Sequence, residues 1–444
     1  MSSPDHDTIF ALSSGAGRAG VAVIRVSGPG AGPALRALSG RDRAPPARRV
    51  TRVRLRDPAT GETLDDAVTL WRQGPGSFTG EDVAELHVHG GPAVIAAVLD
   101  ALAAQPGLRL AEPGEFTRRR FESGKLDLTQ AEAIADLVAA ETEAQRRLAL
   151  RQMDGELGRL YDRWREALIK ILAELEAEID FSDQDLPEDV AGRAQPALRE
   201  LLAEVEAHLA DGHRGERIRD GIYVAIVGPP NAGKSSLLNR LARREAAIVA
   251  ATAGTTRDVI EVRLDLGGYP VVLADTAGLR EAGDGIEGEG VRRALSRAEQ
   301  ADLKLVVLDA ETGAEIDAAT SAIIDDGCMM LVNKIDLRPA PATVGEPGRP
   351  AFAMSVKTGE GVEGFLSALE QEVAARYSAG SAPALTRVRH RAALGQAAQA
   401  IRRSMGADLS ELKAEDLRLA ARALGRITGR VDVEDILDVI FRDF

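Results

Sequence analysis

The 444-residue sequence has little cysteine, no excess of positive charge and no long apolar run. Its one cysteine, Cys328, lies in the apolar run GCMMLV, which excludes a disulfide framework and predicts a buried strand residue in a reducing cytosol. A formal net charge of −14 excludes a globally basic nucleic-acid surface, so any RNA contact has to come from local patches. No stretch approaches about 18 uninterrupted apolar residues and no signal-peptide pattern opens the chain, so we expect a cytoplasmic protein without a membrane partner.

The length predicts about three domains, and the pattern predicts a multidomain α/β protein. Residues 1–123 alternate short β-like runs with glycine and proline before the helical stretch AVIAAVLDALAA, which indicates an α+β domain. Residues 124–219 and 377–444 carry long helical patterns, with apolar residues at steps of three and four from Leu157 to Ile179. We expect residues 220–376 to form a Ras-like α/β domain inserted into an all-α domain, with nucleotide-driven movement passing through the two junctions.

The segment GPPNAGKS, residues 228–235, has the pattern of a phosphate-binding loop. It follows the apolar run IYVAIVG and precedes the helix-like SSLLNRLA, which is the strand, loop and helix context that such a loop needs. Backbone N–H groups of the loop would wrap the β-phosphate, Lys234 would reach the β and γ oxygens, and the Ser235 hydroxyl would ligate Mg²⁺. This motif alone leaves ATP open as the ligand.

Three later motifs select guanine and complete the site. In NKID, residues 333–336, the Asp336 carboxylate can accept from the N1–H and 2-amino groups of guanine, donors that adenine lacks. DTAG, residues 275–278, follows an apolar run and supplies a Mg²⁺ carboxylate, and SVKTG, residues 355–359, resembles the last guanine-contacting loop of GTPases. We expect GTP to contact Asn231, Ala232, Gly233, Lys234, Ser235, Ser236, Thr255, Thr256, Asp275, Thr276, Ala277, Gly278, Asn333, Lys334, Asp336, Ser355, Val356 and Lys357.

One position departs from Ras-like enzymes, in which a glutamine that orients the attacking water follows the DxxG glycine. Here that residue is Leu279, so another group has to orient the water, and we select Glu287, with a solvated surface charge as the alternative. Thr256, in AATAGTTRD, is the expected second Mg²⁺ ligand. The Asn231 amide either ligates a monovalent cation or braces the loop; potassium there would replace the charge of an arginine finger.

The segments GPPNAGKSSLLN, REAAIVAATAGTTRD and DTAGLREAGD, with GRAGVAVIRVSG and PGSFTGEDVAELHVHGGP near the N-terminus, make the sequence similar to the MnmE (TrmE) family of bacterial tRNA modification GTPases over nearly its whole length. The resemblance implies a potassium-stimulated GTPase whose G domains dimerise across their nucleotide faces. It also implies an N-terminal homodimer that binds 5,10-methylenetetrahydrofolate or 5-formyltetrahydrofolate. With the MnmG (GidA) flavoprotein, which brings FAD and NADH, a heterotetramer would build an aminomethyl or carboxymethylaminomethyl group on the wobble uridine of tRNA.

The resemblance also assigns roles to residues that match the family's motifs. It implies that Ser235 and Thr256 hold Mg²⁺, that Glu287 orients water, and that K⁺ is surrounded by Asn231, Ala250, Thr252 and Thr255. For folate it implies Arg25 in VIRVSG, Glu85 in VAELHVHGG and Lys125 in SGKLDL. A cation can pair with the folate glutamate tail, and a carboxylate can accept from the pterin edge.

Three expectations remain beside these assignments. The family's usual Cys-Ile-Gly-Lys tail does not follow Phe444, so we expect GTP hydrolysis to persist and tRNA modification to depend on whether such a tail follows. The arginine-rich stretch 41–56 and Arg118 to Arg120 either contact tRNA phosphates or form solvated faces. A ribosome-assembly GTPase and a GTP-operated switch without turnover are the alternative functions.

Overall fold

The computed structural model describes residues 7–180, 190–244, 261–275, 300–325, 327–341, 343–344, 349–378, 383–431 and 440–441. The chain divides into two compact units. The first comprises Met1–Ala135 with Gly425–Phe444, and the second comprises Asp136–Leu424. Within the described residues, no helix is long and apolar enough to cross a membrane.

The first unit contains a six-stranded sheet whose strands are β1 (Thr8–Leu12), β2 (Ala19–Ser27), β3 (Val50–Arg56), β4 (Thr63–Arg72), β5 (Val83–Gly90) and β6 (Leu108–Leu110). The spatial order is β3-β4-β5-β2-β1-β6, and every neighbouring pair is antiparallel except β1 with β6. The short β-like runs expected from the sequence, GVAVIRVSG, VTRVRLRD, DAVTLW and DVAELHVHGG, are confirmed as β2 to β5. Lateral pairing of β2 with β5 brings together residues that lie far apart in the chain.

The helices α1 (Ala31–Ser39) and α2 (Pro92–Ala103) cover this sheet. The first unit also contains α3 (Glu115–Glu122) and the first part of α4 (Leu128–Ala139). The helix expected from AVIAAVLDALAA is confirmed as α2. Ile24 and Leu86 of the sheet pack with Leu35 of α1 and Leu102 of α2, all at most 1% exposed. Alternation along the strands therefore buries one side of each strand against the helices and leaves the opposite side free for polar groups.

The second unit contains a seven-stranded sheet, formed by β7 (Ile222–Val227), β8 (Glu261–Leu266), β9 (Tyr269–Asp275), β10 (Leu303–Asp309), β11 (Cys328–Asn333), β12 (Thr343–Val344) and β13 (Arg349–Ala353). Its order is β12-β13-β11-β10-β7-β9-β8. The five central strands are parallel, and antiparallel β8 and β12 form the edges. Apolar clusters pack on the sheet. The described helices that lie between its strands in the chain, or directly follow the last strand, are α9 (Lys234–Ala242), α10 (Ala318–Ser321) and α11 (Val362–Tyr377).

The remaining helices of the second unit are α5 (Glu143–Met153), α6 (Glu156–Asp180), α7 (Val190–Leu209), α8 (Arg214–Asp220), α12 (Val388–Gly406) and α13 (Ser410–Thr428), the last of which runs into the first unit. The expected apolar stripe of α6 is confirmed at its centre, where Trp164 and Leu168 are buried. Leu160 and Ile179 are only half-buried. The helix α7 packs against both α6 and α12.

Candidate functional site

The loop from residue 228 to residue 233 joins β7 to α9 and needs glycine at both ends. Gly228 has a φ of +140°, and a Cβ there would overlap the carbonyl oxygen of Val307. Gly233 has a φ of +100°, and a Cβ there would overlap the side-chain nitrogen of Asn333. Any other residue would be strained and would displace a neighbour. The backbone conformation of the loop therefore requires glycine at these two motif positions.

A helix N-terminus and a lysine place positive charge at this loop. Lys234 begins α9, is buried, and donates from Nζ to the carbonyl oxygens of Gly228 at 2.9 Å and Pro229 at 2.7 Å. Ser235 and Ser236 follow in the exposed first turn. Free N–H groups at a helix start attract anions, so the residues present fit a phosphate group.

Asn333 connects three separate segments of the site. Its side chain is 3% exposed, donates to the carbonyl oxygen of Ala232 at 2.9 Å, and accepts from the Val356 N–H at 2.9 Å. Both polar atoms of the amide are thus used inside the protein. The phosphate loop, the end of β11 and the loop after β13 are therefore held together by one side chain.

The neighbouring residues of the NKID and SVKTG motifs also meet. Ser355 is fully buried and donates from Oγ to a carboxylate oxygen of Asp336 at 2.6 Å, while the same hydroxyl accepts from the Thr358 N–H at 3.1 Å. Lys334 has a φ of +66° and pairs with Asp309 at 2.6 Å, and this bond raises the pKa of the ammonium. The Asp336 carboxylate is held from one side and exposed on the other, as base recognition requires.

A cleft of about 1370 Å³ includes Asn231, Asn333, Asp336 and Lys357 in its wall. Arg240, which the sequence reasoning missed, also lines this cleft and donates to the carbonyl oxygen of Val356 at 2.6 Å. It therefore braces the loop that we expect to contact guanine. Ser236 and Arg240 lie four residues apart on α9 and both face the cleft, but this spacing gives no sign of the distant loop that Arg240 contacts.

Asn231 adopts the left-handed backbone conformation, with a φ of +61°, and is exposed at the cleft. Asparagine tolerates this conformation better than most residues, so the position suits a side chain whose amide oxygen is available to a cation. No described contact shows the amide bracing the loop. The potassium assignment of Asn231 stays a prediction.

Several expected site residues lie outside the described residues. Asp275 ends β9, where its backbone pairs with Ile226 of β7, but its side chain is not described. The parallel pairing puts the start of DTAG next to the strand that leads into the phosphate loop. The roles predicted for the others therefore stay predictions: Ala250, Thr252, Thr255, Thr256, Thr276, Ala277, Gly278, Leu279 and Glu287.

A second charged cluster lies on the sheet of the first unit. Register pairing of β2 with β5 places Arg25 opposite Glu85, and the guanidinium donates to the same carboxylate oxygen from Nε at 3.1 Å and from Nη2 at 3.0 Å. The side chains are 22% and 18% exposed, so the pair is mostly shielded from water. Arg25 also lies over the rings of Phe78 at 4.9 Å and Phe116 at 5.4 Å.

Lys125 reaches the loop that carries Phe78. Its ammonium donates to the carbonyl oxygens of Ser77, at 2.7 Å, and of Pro75. Arg120 lies over the other side of the cluster, with its guanidinium carbon 4.5 Å from the Phe78 ring centroid. Arg25 and Lys125 therefore both contact the loop that carries Phe78, and Glu85 is joined to them through Arg25, although Lys125 uses its charge on backbone carbonyls.

Two buried polar atoms near this cluster make no hydrogen bond to any described residue: Nε2 of His87 and Nε of Arg120. The imidazole nitrogen of His87 is 3.8 Å from Glu85, and burial lowers the pKa of Arg120. Buried polar groups are nearly always satisfied in native proteins, so such atoms indicate a missing partner. An aromatic, polar ring system with an anionic tail fits this combination of rings and donors.

The expectation that Arg118 to Arg120 contact tRNA phosphates is wrong for Arg119. That guanidinium is only 4% exposed and is surrounded by carboxylates of Glu115, at 2.9 Å, and Glu81, at 3.1 Å. Arg118 pairs with Glu122 along α3. The Asp7 carboxylate is a third partner of Arg119, at 2.9 Å. Because a buried cation with three carboxylate partners cannot also reach a phosphate, this arginine is part of the fold.

The parallel sheet, its phosphate loop and the Asn333 and Asp336 contacts define a guanine-nucleotide-binding protein of the P-loop class. One family model, described as the MnmE helical domain, matches residues 128–444, and another, described as the GTP-binding protein TrmE N-terminus, matches residues 8–125. The chain belongs to the MnmE family of tRNA modification GTPases. It is a GTP hydrolase that acts in tRNA modification.

Individual relatives agree with this assignment. The tRNA modification GTPase MnmE of Paramagnetospirillum magneticum is 58% identical over 438 residues, which cover 99% of each chain. That of Rhodospirillum rubrum is 57% identical over 452 residues, which cover 99% of this chain and 98% of the relative. A crystal structure of Aquifex aeolicus Era bound to GDP and AlF4⁻ is 23% identical, with a TM-score of 0.27, over 40% of this chain and 66% of that chain.

Proposed function

We propose that this GTPase is potassium-dependent and that, with an MnmG flavoprotein, it forms aminomethyl or carboxymethylaminomethyl uridine at the tRNA wobble position from a tetrahydrofolate one-carbon unit. The observation that carries the nucleotide part is the Asn333 amide, which joins the phosphate loop to the guanine loops. Family membership over nearly the whole chain supports the tRNA part. It also argues against a ribosome-assembly GTPase and a switch without turnover.

For the domains, we propose residues 1–123 as the folate and dimerisation domain and residues 220–376 as the G domain, inserted between helical parts 124–219 and 377–444. Contacts between helices from either side of residues 220–376 support the insertion. Gln195 donates to the carbonyl oxygen of Met405 at 3.2 Å, and Arg402 pairs with Glu206 at 2.5 Å. The helical parts thus form one packed structure despite their separation in sequence.

In the proposed hydrolysis, Lys234 and the first turn of α9 hold the phosphates and Ser235 contributes a Mg²⁺ ligand. Asn231 offers its amide oxygen to K⁺, which would supply positive charge beside the phosphates. Thr256 completes the Mg²⁺ ligands, and the backbones of Ala250, Thr252 and Thr255 complete the K⁺ ligands. Glu287 orients the attacking water in place of the glutamine that Leu279 replaces.

GTP turnover in KCl and in NaCl at equal ionic strength tests this mechanism. We expect faster turnover in KCl, and a loss in kcat of at least about tenfold for Glu287→Ala without a matching rise in KM. The matched control is Glu289→Ala in the same acidic segment, which should turn over as the original chain does. Equal slow rates in both salts, unchanged by Glu287→Ala, would overturn the potassium and glutamate roles together.

For the folate site, we propose that Arg25 and Lys125 pair with the anionic tail and that Glu85 accepts from the pterin edge. The bound folate supplies the one-carbon unit. The unpartnered His87 and Arg120 atoms and the Phe78 ring support a polar aromatic ligand at this place. Calorimetry of the full chain with 5-formyltetrahydrofolate should show binding in the presence of saturating GDP, and no heat at high ligand concentration would remove the assignment.

For the partners, we propose a homodimer through both the N-terminal and the G domains, and a cytoplasmic heterotetramer with MnmG, which provides FAD and NADH. Nucleoside analysis of tRNA from a deletion strain tests the role most directly. Loss of the modified wobble uridine, with recovery on complementation by this chain, is the expected result. Unchanged wobble nucleosides in the deletion strain would refute the tRNA function while leaving the GTPase assignment intact.

A further inference from the structure

The second unit contains another cavity, of about 420 Å³, outside the nucleotide cleft. It is bounded by the turn between β8 and β9, by α5 and α8, and by the last turn of α7. None of the expected GTP-contacting residues that the structure describes lines it. Its volume lies in the range of small-molecule sites, which is about 300 to 1,000 Å³.

The wall offers apolar and aromatic surface. Leu148 and Ile218 contribute aliphatic side chains, and Tyr269 and Tyr377 contribute rings. The Tyr377 hydroxyl bonds to Asp302, and burial raises the pKa of this phenol to about 12. The tyrosine is therefore uncharged at neutral pH, and its ring belongs to a surface on which a flat molecule can pack.

The charges on the wall do not cancel. Four of them have partners of opposite sign: Arg147 and Glu143 pair with each other at 2.7 Å, Arg151 pairs with Glu156 at 2.8 Å and Asp211 with Arg391 at 2.7 Å. The second carboxylate oxygen of Asp211 has no described hydrogen-bond partner. Burial lowers the pKa of His208 to about 4, so this side chain adds no charge at neutral pH. Among the charged wall residues that the structure describes, Arg214 is the one without a partner of opposite sign.

Arg214 is half-buried and makes no hydrogen bond or ion pair to any residue that the structure describes, and its Nε is a buried donor without an acceptor. A guanidinium in this position has lost part of its hydration without gaining a partner. Arginine pairs most strongly with carboxylate, sulfonate or phosphate oxygens, which match its planar fork of donors. The cavity thus combines apolar walls with one cation that lacks a counter-ion.

We propose that this cavity is a binding site for a small molecule that carries one anionic group on a flat, mainly apolar body. Arg214 pairs with the anionic group, and the body packs between Leu148 and the Tyr269 ring. The ligand chemistry is that of an aromatic carboxylate, sulfonate or phosphate monoester. The site is separate from the nucleotide cleft and from the Arg25 and Glu85 cluster.

A ligand at this place would touch the turn between β8 and β9, through which the proposed G domain contacts α5 of the proposed helical domain. The carbonyl oxygen of Gly268 accepts from the Ala144 N–H of α5 at 2.8 Å, and the Gly268 N–H donates to Asp265 at 2.8 Å. From this turn β9 runs to Asp275, the first residue of DTAG. Occupancy would therefore bridge α5 and the strand that ends at the nucleotide site.

Anilinonaphthalene sulfonate, a flat aromatic monoanion with fluorescence that rises on binding, is the test probe. It is titrated into the full chain saturated with GDP and Mg²⁺, which blocks the nucleotide cleft. Ala207→Trp fills the cavity from an exposed position on α7, and Arg214→Gln removes the cation. The matched controls are Ala203→Trp, one turn earlier on the same exposed face, and Arg199→Gln, an exposed arginine away from the cavity.

We expect one binding phase that disappears in Ala207→Trp, weakens at least tenfold in Arg214→Gln and is unchanged in both controls. Hydrogen exchange at the Gly268 and Tyr269 amides should slow when the probe is bound. A titration that is the same in all five proteins would show that no such site exists. Loss in Ala207→Trp with full affinity in Arg214→Gln would overturn the anion-binding role, and circular dichroism identifies any variant that fails to fold.

Discussion

The nucleotide cleft and the Arg25 and Glu85 cluster are assembled in opposite ways. The cleft is built where parallel strands β7, β11 and β13 end, and its loops contribute backbone N–H groups and carbonyls as much as side chains. At the centre of the cluster, Arg25 and Glu85 lie on neighbouring antiparallel strands, 60 residues apart in sequence, and contact each other through their side chains. Substitutions should therefore act through backbone geometry in the cleft and through charge in the cluster.

The largest effect should come from Gly233→Ala in the phosphate loop. A Cβ at a φ of +100° is strained and would overlap the Asn333 side chain, so the loop and the amide cannot both keep their places. We expect GDP to bind roughly 100-fold more weakly, or about 3 kcal/mol, in a fluorescent-nucleotide titration. Gly364→Ala, where a Cβ meets nothing within 4 Å, is the control and should bind normally. Equal affinities would mean that backbone geometry does not govern the cleft.

Asn333→Ala should come next, because it removes two bonds without changing the backbone. We expect the binding free energy to weaken by about 2 kcal/mol, which raises the Kd roughly 30-fold for both GDP and GTP. Thermal unfolding of the same protein separates a weakened site from a weakened fold. A change of less than about threefold would contradict the view that this one amide holds the three segments together.

In the other region, Glu85→Gln should weaken 5-formyltetrahydrofolate binding roughly tenfold, because it removes the charge that Arg25 faces. The matched control is Asp66→Asn, which breaks the exposed Arg52 pair at 2.5 Å on the same sheet. Calorimetry should show no effect of that control, and GDP affinity should be the same in both variants. Equal losses for the two variants would indicate a general effect on the sheet instead of a site.

The smallest effect should come from Arg240→Met, which keeps the volume of the side chain but removes the bond to the Val356 carbonyl. We expect roughly fivefold weaker GDP binding, with kcat unchanged at saturating GTP, because Arg240 positions the guanine loop and contacts no reacting atom. A lower kcat at unchanged affinity would show that this arginine acts on the reaction itself.

Much of the fold and of the nucleotide site could be predicted from the sequence, and there is a physical reason why the rest could not. The strands β2 to β5, the helix α2 and the phosphate loop follow from local patterns, because period and glycine position act within a few residues. The role of Arg240 and the burial of Arg119 could not be predicted. Both depend on which distant group lies beside the side chain, and in the sequence Arg119 looks like its neighbours.

By itself, the sequence determined the ligand class, because the atoms that distinguish guanine from adenine are met by residues in short consecutive motifs such as NKID. It also determined the strands β2 to β5, the helix α2 and the strand, loop and helix around the phosphate loop. Only the tertiary structure decided that Asn333 is shared by two loops, that Arg25 faces Glu85, and that Arg214 lies beside a cavity with no counter-ion among the described residues. These three facts result from long-range packing, which sets the partners and hydration of each charge and has no signal in local spacing.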